Sequence, residues 1–268
     1  MACSISTLGE CVAKALFKFI IDLLNLASKP FLDLIKKFLS EPVNITIFAS
    51  TWSVIVYILS MFYGLLFIWV GFKFIISGES PEQREKAKSD LKNIIIMMIL
   101  VQGSFHLYSL IIAVSSALTK TILNMVGNDF FKITLESIYN IGFDLFFGSI
   151  YILHLIVVLI ILILRYIAVS AGVLLFAMGI FFYFISALNQ YGRLIINGLG
   201  VLIFLPVFYA LIFLVGSKLT TLGGFSGFKT LIMVGSLDMI ILFTLLLLLF
   251  VVVKSATQIK NVTNIVKR

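Results

Sequence analysis

Charge is scarce in this 268-residue chain: Asp, Glu, Lys and Arg together make up 12% of it. A soluble domain carries about 25% charged residues, and a disordered chain is richer still in polar and charged groups. Both classes are excluded. Four prolines and two cysteines are too few for a Pro-rich fibre or a disulfide scaffold. Motifs are scarce as well. There is no GxxxxGK[ST] phosphate loop, hence no evident means to hydrolyse ATP, and no HExxH zinc-protease signature. Cys3 and Cys11 have no neighbouring ligand set, and His106 and His154 stand alone on different apolar runs. A zinc site needs about three or four such ligands. With no paired acids and no Ser/His pair in adjacent runs, the sequence reads as a non-enzyme without metal or cofactor.

What is abundant is apolar. Hydrophobic residues make up 61% of the chain and the mean hydropathy is +1.17. A membrane helix takes about 20 mostly apolar residues, and six runs qualify, at about 49–76, 93–118, 145–164, 167–188, 194–216 and 231–253. The runs are continuous, whereas strands of a membrane barrel alternate apolar and polar residues. The predicted fold is therefore all-α, a polytopic transmembrane helix bundle. Only Arg165 and Tyr166 separate the third run from the fourth, so these two form a tight hairpin or one long bent helix.

Three polar segments frame the bundle. Residues 1–48 form an N-terminal arm whose Lys14, Lys18, Asp22, Asn25, Lys29 and Asp33 recur every three or four residues. That spacing predicts an amphipathic helix in the bilayer interface, bent at Pro30, or packed against a partner helix. Residues 254–268 are a basic tail extending the last helix. Between the first two runs, Gly78–Lys92 reads as a charged helical elbow. Ser80 is its expected N-cap, Pro81 its first helical residue, and Gln83 completes a capping box. Its Glu82, Arg84, Lys86 and Lys88 are either a solvated extension or a docking surface for a partner protein. The distribution of Lys and Arg favours cytoplasmic termini, and the net charge of +8 suits anionic headgroups or nucleic-acid phosphates.

Polar groups inside membrane runs are costly and point to function. Asp238 is the one acid deep in a run, and is expected to pair with Arg165 or to meet water. His154 is expected to be a satisfied core histidine. Gln102 and His106 share a face of the second run. Asn189, Gln190 and Arg193 form a polar turn, and Asn197 follows it. Gly198, Gly200 and Pro206 make the fifth run a candidate for a kink.

Two stretches carry a family resemblance. Arg165–Leu211, RYIAVSAGVLLFAMGIFFYFISALNQYGRLIINGLGVLIFLPVFYAL, has a basic residue opening a small-residue helix, then a polar turn with Arg, then a helix with Gly and Pro. It resembles the TrbL-like inner-membrane component of type IV secretion and conjugation systems, and within that group the CedA-type membrane proteins of the crenarchaeal DNA-exchange (Ced) system. Gly71–Leu100, GFKFIISGESPEQREKAKSDLKNIIIMMIL, is similar to the helical hairpin of conjugation-related membrane proteins. The resemblance implies a part in moving DNA across the cell membrane. It also implies small membrane subunits, a separate HerA-like or type IV secretion ATPase, and a homo- or hetero-oligomer. A DNA path needs counter-charge for phosphates. The candidates for its lining are Arg165, Arg193, Gln102, His106, Asn189, Gln190 and Asn197, with Asp238 as a further interior polar group. The rival readings are a small-molecule or ion transporter, centred on Asp238, and a structural scaffold for a pilus or secretion assembly.

Overall fold

The computed structural model describes residues 8–77, 80–133, 141–222 and 228–266. Among them there is no strand. Seven α-helices follow one another: α1 (Leu8–Ser40), α2 (Ala49–Ile76), α3 (Pro81–Gln102), α4 (Ser104–Asn124), α5 (Ile141–Phe184), α6 (Asn189–Thr220) and α7 (Lys229–Val266). Short 3-10 turns stand at Thr46–Phe48 and Asn128–Phe131. Five helical segments are long and apolar enough to cross a membrane: Thr46–Ile76, Ser104–Asn124, Phe146–Phe184, Asn189–Thr220 and Lys229–Val251. The all-helical, multi-span architecture is as expected. Gly78, Cys3, Lys267 and Arg268, all read above, lie outside the described residues.

The runs read from the sequence are divided differently among the helices in two places, for local reasons. The third run and the fourth as far as Phe184 are both part of α5, a single helix of 44 residues. No Gly or Pro interrupts Ser149–Ala171, and Arg is a good helix former, so Arg165 marks no break. The second run straddles a junction at Gly103, the one residue between α3 and α4. Glycine costs a helix about 1 kcal/mol relative to alanine, and here it separates the elbow helix from a span of its own. Gln102 and His106 accordingly fall on two helices, not on one helical face.

The helices form two compact units. The first comprises residues 1–41, 116–164 and 206–268. In it α1 buries Ile21, Ser28, Leu32, Ile35 and Leu39. The same helix leaves a second apolar stripe uncovered, at Val12, Leu16, Phe19, Leu23 and Leu26, so it carries a packed face, a bare apolar face and a charged one. Asn25 acts as a clamp. Its Nδ2 donates to the carbonyl of Ile133 at 2.9 Å, while the Ile133 amide donates back to Oδ1 at 3.0 Å. The Ser116 hydroxyl donates to the carbonyl of Ser40, satisfying one of the last acceptors of α1.

The second unit comprises residues 42–115 and 165–205. Its core gathers Met97, Val101, Tyr108, Val169, Val173, Ala177, Leu199 and Ile203. At one end, Gly179 and Gly192 bring α5 and α6 close together. A Cβ on Gly192 would collide with the backbone of Tyr183 and with the Gly179 carbonyl, so only glycine fits there. Small residues at helix crossings are the usual device of membrane packing.

Candidate functional site

The second unit is built around a helical hairpin, α2 and α3, and the polar station that anchors its start. On α2 the buried residues are Val56, Leu59, Tyr63 and Val70, a three–four spacing that makes one narrow seam. On α3 they are Ala87, Ile94, Met97 and Val101. The rest of α2 is exposed and large: Tyr57, Phe62, Ile68, Trp69 and Phe72 among others. That is the surface a helix presents to lipid. Where the seam reaches the elbow, Lys73 Nζ meets Asp90 Oδ2 at 2.6 Å and lies 5.8 Å from the centroid of the Trp69 ring. The charged half of α3 is thus fastened to α2, while Glu82, Arg84, Lys86 and Lys88 stay exposed.

The elbow helix starts at Pro81 with Ser80 in the extended N-cap conformation, as the sequence predicts, but the Ser80 hydroxyl makes no cap. The capping box fails for a visible reason. The Ser80 amide, which the Gln83 side chain would have to accept, already donates to the carbonyl of Ser77 at 3.2 Å.

The hairpin is tied down at its first residue. The amide of Asn44 donates to the Tyr166 hydroxyl at 3.2 Å, and its carbonyl accepts from the Ser170 hydroxyl at 3.0 Å. Its Oδ1 accepts from the Thr46 amide at 3.0 Å, which starts the 3-10 turn leading into α2. Further along, Trp52 Nε1 donates to Ser104 Oγ at 2.9 Å, joining α2 to the start of α4.

Arg165 lies beside the Tyr166 and Ser170 anchor, and it is 7% exposed. Its Nε donates to the carbonyl of Leu202 at 2.8 Å, and one terminal nitrogen donates to that of Ile203 at 3.1 Å. The reason is Pro206. Proline has no N–H, so the carbonyl one turn earlier, that of Leu202, has no helical donor. Proline in a membrane helix is tolerated where neighbours satisfy the freed groups, and Arg165 does so here. The Ser115 hydroxyl adds a bond to the Ile203 carbonyl at 2.7 Å. Hydrogen bonds with a charged partner are each worth about 1.5–3 kcal/mol. Two of them match the cost of about 2.5–3.5 kcal/mol for inserting an Arg at mid-helix. Across the same core, the Tyr108 hydroxyl donates to the Val169 carbonyl at 2.7 Å and lies where a Cβ on Gly172 would need to be.

The other candidates are distributed as follows. Asn189 donates to the carbonyl of Tyr183, and the Arg193 guanidinium lies 5.6 Å from the centroid of the same residue's ring, so Tyr183 brings these two together. Arg193, Gln190, Asn197, Gln102 and His106 are exposed. Asp238 Oδ1 lies 2.7 Å from Nε2 of His154. Sequence reasoning named both residues but not the pair. The available signal was that these are the acid and one of the two histidines found in apolar runs.

With this geometry in hand, comparison with known proteins singles out the hairpin. Residues 44–102 match the family described as Type IV secretion system pilin. The match begins at the anchored Asn44 and ends at the last residue of α3. It contains the Gly71–Leu100 stretch and leaves Arg165–Leu211 outside. No curated protein and no solved structure matches the chain. The chain therefore carries, beside described helices long and apolar enough for a multi-pass membrane protein, a hairpin similar to a type IV secretion system pilin, and this similarity supports a type IV secretion-related family.

Proposed function

We propose that the chain is an integral membrane component of a DNA-translocation machine of the type IV secretion class, forming or lining the conduit with partner proteins and driven by a separate ATPase. The observation that carries this is the pilin-like match over 44–102, which coincides with a packed, anchored hairpin. The missing phosphate loop is in keeping with an external motor. Small membrane subunits and a HerA-like or type IV secretion ATPase are the partners of this reading, DNA its substrate, and an oligomer its conducting form. Arg193 and the elbow cations Arg84, Lys86 and Lys88, all exposed, are the residues available to phosphates. Arg165 is 7% exposed and donates to the carbonyls of Leu202 and Ile203, so we assign it to the scaffold and not to the lining. A structural role in a pilus or secretion assembly is the second reading, and the pilin match favours it equally.

Co-purification from native membranes with mass spectrometry of the partners is the first test. The proposal expects an ATPase of this class and small two-span proteins. Recovery of the chain alone, as a stable small oligomer, overturns it in favour of a transporter. DNA transfer with Arg193→Glu then separates conduit from scaffold: loss of transfer with intact assembly supports the conduit, and unchanged transfer removes Arg193 from the path.

A further inference from the structure

Helix α7 carries two stripes with the spacing of a helix–helix seam. Thr230, Met233, Leu237, Ile240 and Thr244, three or four residues apart, are buried and pack α7 within the first unit. Leu231, Gly235, Asp238, Leu242, Leu245 and Leu249 recur with the same alternation of four and three, and all six are exposed. That rhythm is the heptad pattern by which one helix packs along another. On α7 it is repeated on a face that this chain leaves uncovered. Inside a bilayer such a face meets either lipid or another protein. Leucines alone suit lipid, whose tails are as apolar as they are. Asp238 does not.

Asp238 stands inside the span Lys229–Val251. Its Oδ1 meets Nε2 of His154 at 2.7 Å, and 57% of its side chain is uncovered. Among the described residues Oδ2 has no partner. An acidic residue is costly in a membrane helix, and such groups almost always face a bundle interior or pair with another ionisable group. Here one oxygen is answered by the chain and the other is not. Space beside it is free. A Cβ on Gly235, one turn earlier, would meet nothing within 4 Å, and small residues let a neighbouring helix come close. Gly235 also lines an apolar groove of about 590 Å³ between α6 and α7. A second copy of the chain is a poor occupant of this stripe. Copies lie parallel in one membrane, so a shared α7 seam sets Asp238 against Asp238, and facing like charges is unfavourable.

We propose that the outer stripe of α7 is the docking surface for a transmembrane helix of another protein, and that this helix carries a Lys or Arg at the depth of Asp238. The basic side chain donates to Oδ2 while His154 keeps Oδ1. Charge complementarity selects this occupant. Lys and Arg bring donors and no acceptor, and ionisable groups inside membranes pair with one another. A single polar position in a heptad seam also fixes register and partner. The leucines supply contact area, and Asp238 supplies the choice of partner. The inference stands on α7, outside the pilin-like segment, and does not depend on the secretion reading.

The test uses the full chain in its native membranes, with a photo-crosslinking residue in place of Leu242 or Leu245. A control carries it in place of Trp69, on the exposed face of α2. Mass spectrometry identifies the crosslinked segment. The expected result is an adduct from the α7 positions, and not from the control, with an apolar segment of about 20 residues that holds a Lys or Arg in its interior. Asp238→Leu should lower the yield about tenfold, within the range of hydrogen bonds between membrane helices. Asp238→Lys combined with an acid in place of the partner's basic residue should restore it. Adducts with lipid alone, with a second copy of this chain, or with a segment lacking an interior Lys or Arg overturn the proposal. So does capture of the same segment by the control, or a yield that Asp238→Leu leaves unchanged. If Asp238→Leu fails to insert, the chain with the native Asp238 decides alone, by whether the captured segment holds the basic residue.

Discussion

Arg165 and Asp238 are both ionisable groups in apolar helices, and the protein handles them in opposite ways. Arg165 is buried, and its guanidinium is spent on the carbonyls of Leu202 and Ile203. Asp238 is open, and is answered by one histidine. The difference follows from the groups themselves. Arg keeps its proton under all conditions met in proteins, so its charge must be offset by fixed dipoles, and a proline one turn from the site supplies one. The Asp238 carboxylate instead meets one imidazole, that of His154. A permanent charge here is held by backbone carbonyls, and a carboxylate by a single side chain.

That contrast is breakable by substitution. The largest effect belongs to Arg165→Met, which strands the Leu202 carbonyl beside Pro206. It should lower stability by about 1–3 kcal/mol, the cost of a buried acceptor left unsatisfied, read as reduced thermal stability in detergent. Pro206→Ala gives Leu202 a helical donor again, so the double variant should recover a large part of the loss. Additive losses in that cycle would show that the two residues do not act on the same carbonyl. Gly192→Ala comes next. Overpacking against backbone typically costs about 1–3 kcal/mol, and it should loosen the packing of α6 on α5 around Gly179 and Tyr183. Tyr108→Phe removes the bond to Val169 and should cost about 1 kcal/mol, measurable by the same melt. Smallest is Lys73→Met. Lys73 and Asp90 are 43% and 32% exposed, and pairs of that kind are worth about 0–1 kcal/mol. A double-mutant cycle with Asp90→Asn should give a coupling in that range, weakening as salt is raised.

Much of the architecture was legible because hydropathy reports directly on what crosses a bilayer. The spans, the elbow and its Pro81 start all follow from local pattern. The hairpin similarity seen in Gly71–Leu100 falls inside the pilin-like segment. The failures are non-local. The sequence left a hairpin and one long helix open at Arg165, and what it could not show is that the Arg165 guanidinium is met by carbonyls of α6. The capping box at Ser80 failed because the preceding turn, at Ser77, had already taken the amide. Pro206 read as a kink, and its more telling effect, an unclaimed acceptor at Leu202, needs Arg165 in view. Asp238 and His154 are far apart in sequence, and no periodicity connects α5 to α7. The polar candidates Gln102, His106, Gln190 and Asn197 were chosen by residue type and local spacing, and neither indicates what a polar face packs against.

The anchoring of the hairpin also bears on how the protein is made. Asn44 is held by Tyr166 and Ser170, contacts that span 122 and 126 residues of chain. Synthesis runs from the N-terminus, so α2 and α3 leave the ribosome long before the residues that secure them. In the interval the hairpin has its own seam and the Lys73–Asp90 bridge, but no tether at its origin. Contacts this distant in sequence form late, because loop closure must precede any reward. The anchor at Asn44 can therefore close only once the second half of α5 has been made, well after α2 and α3.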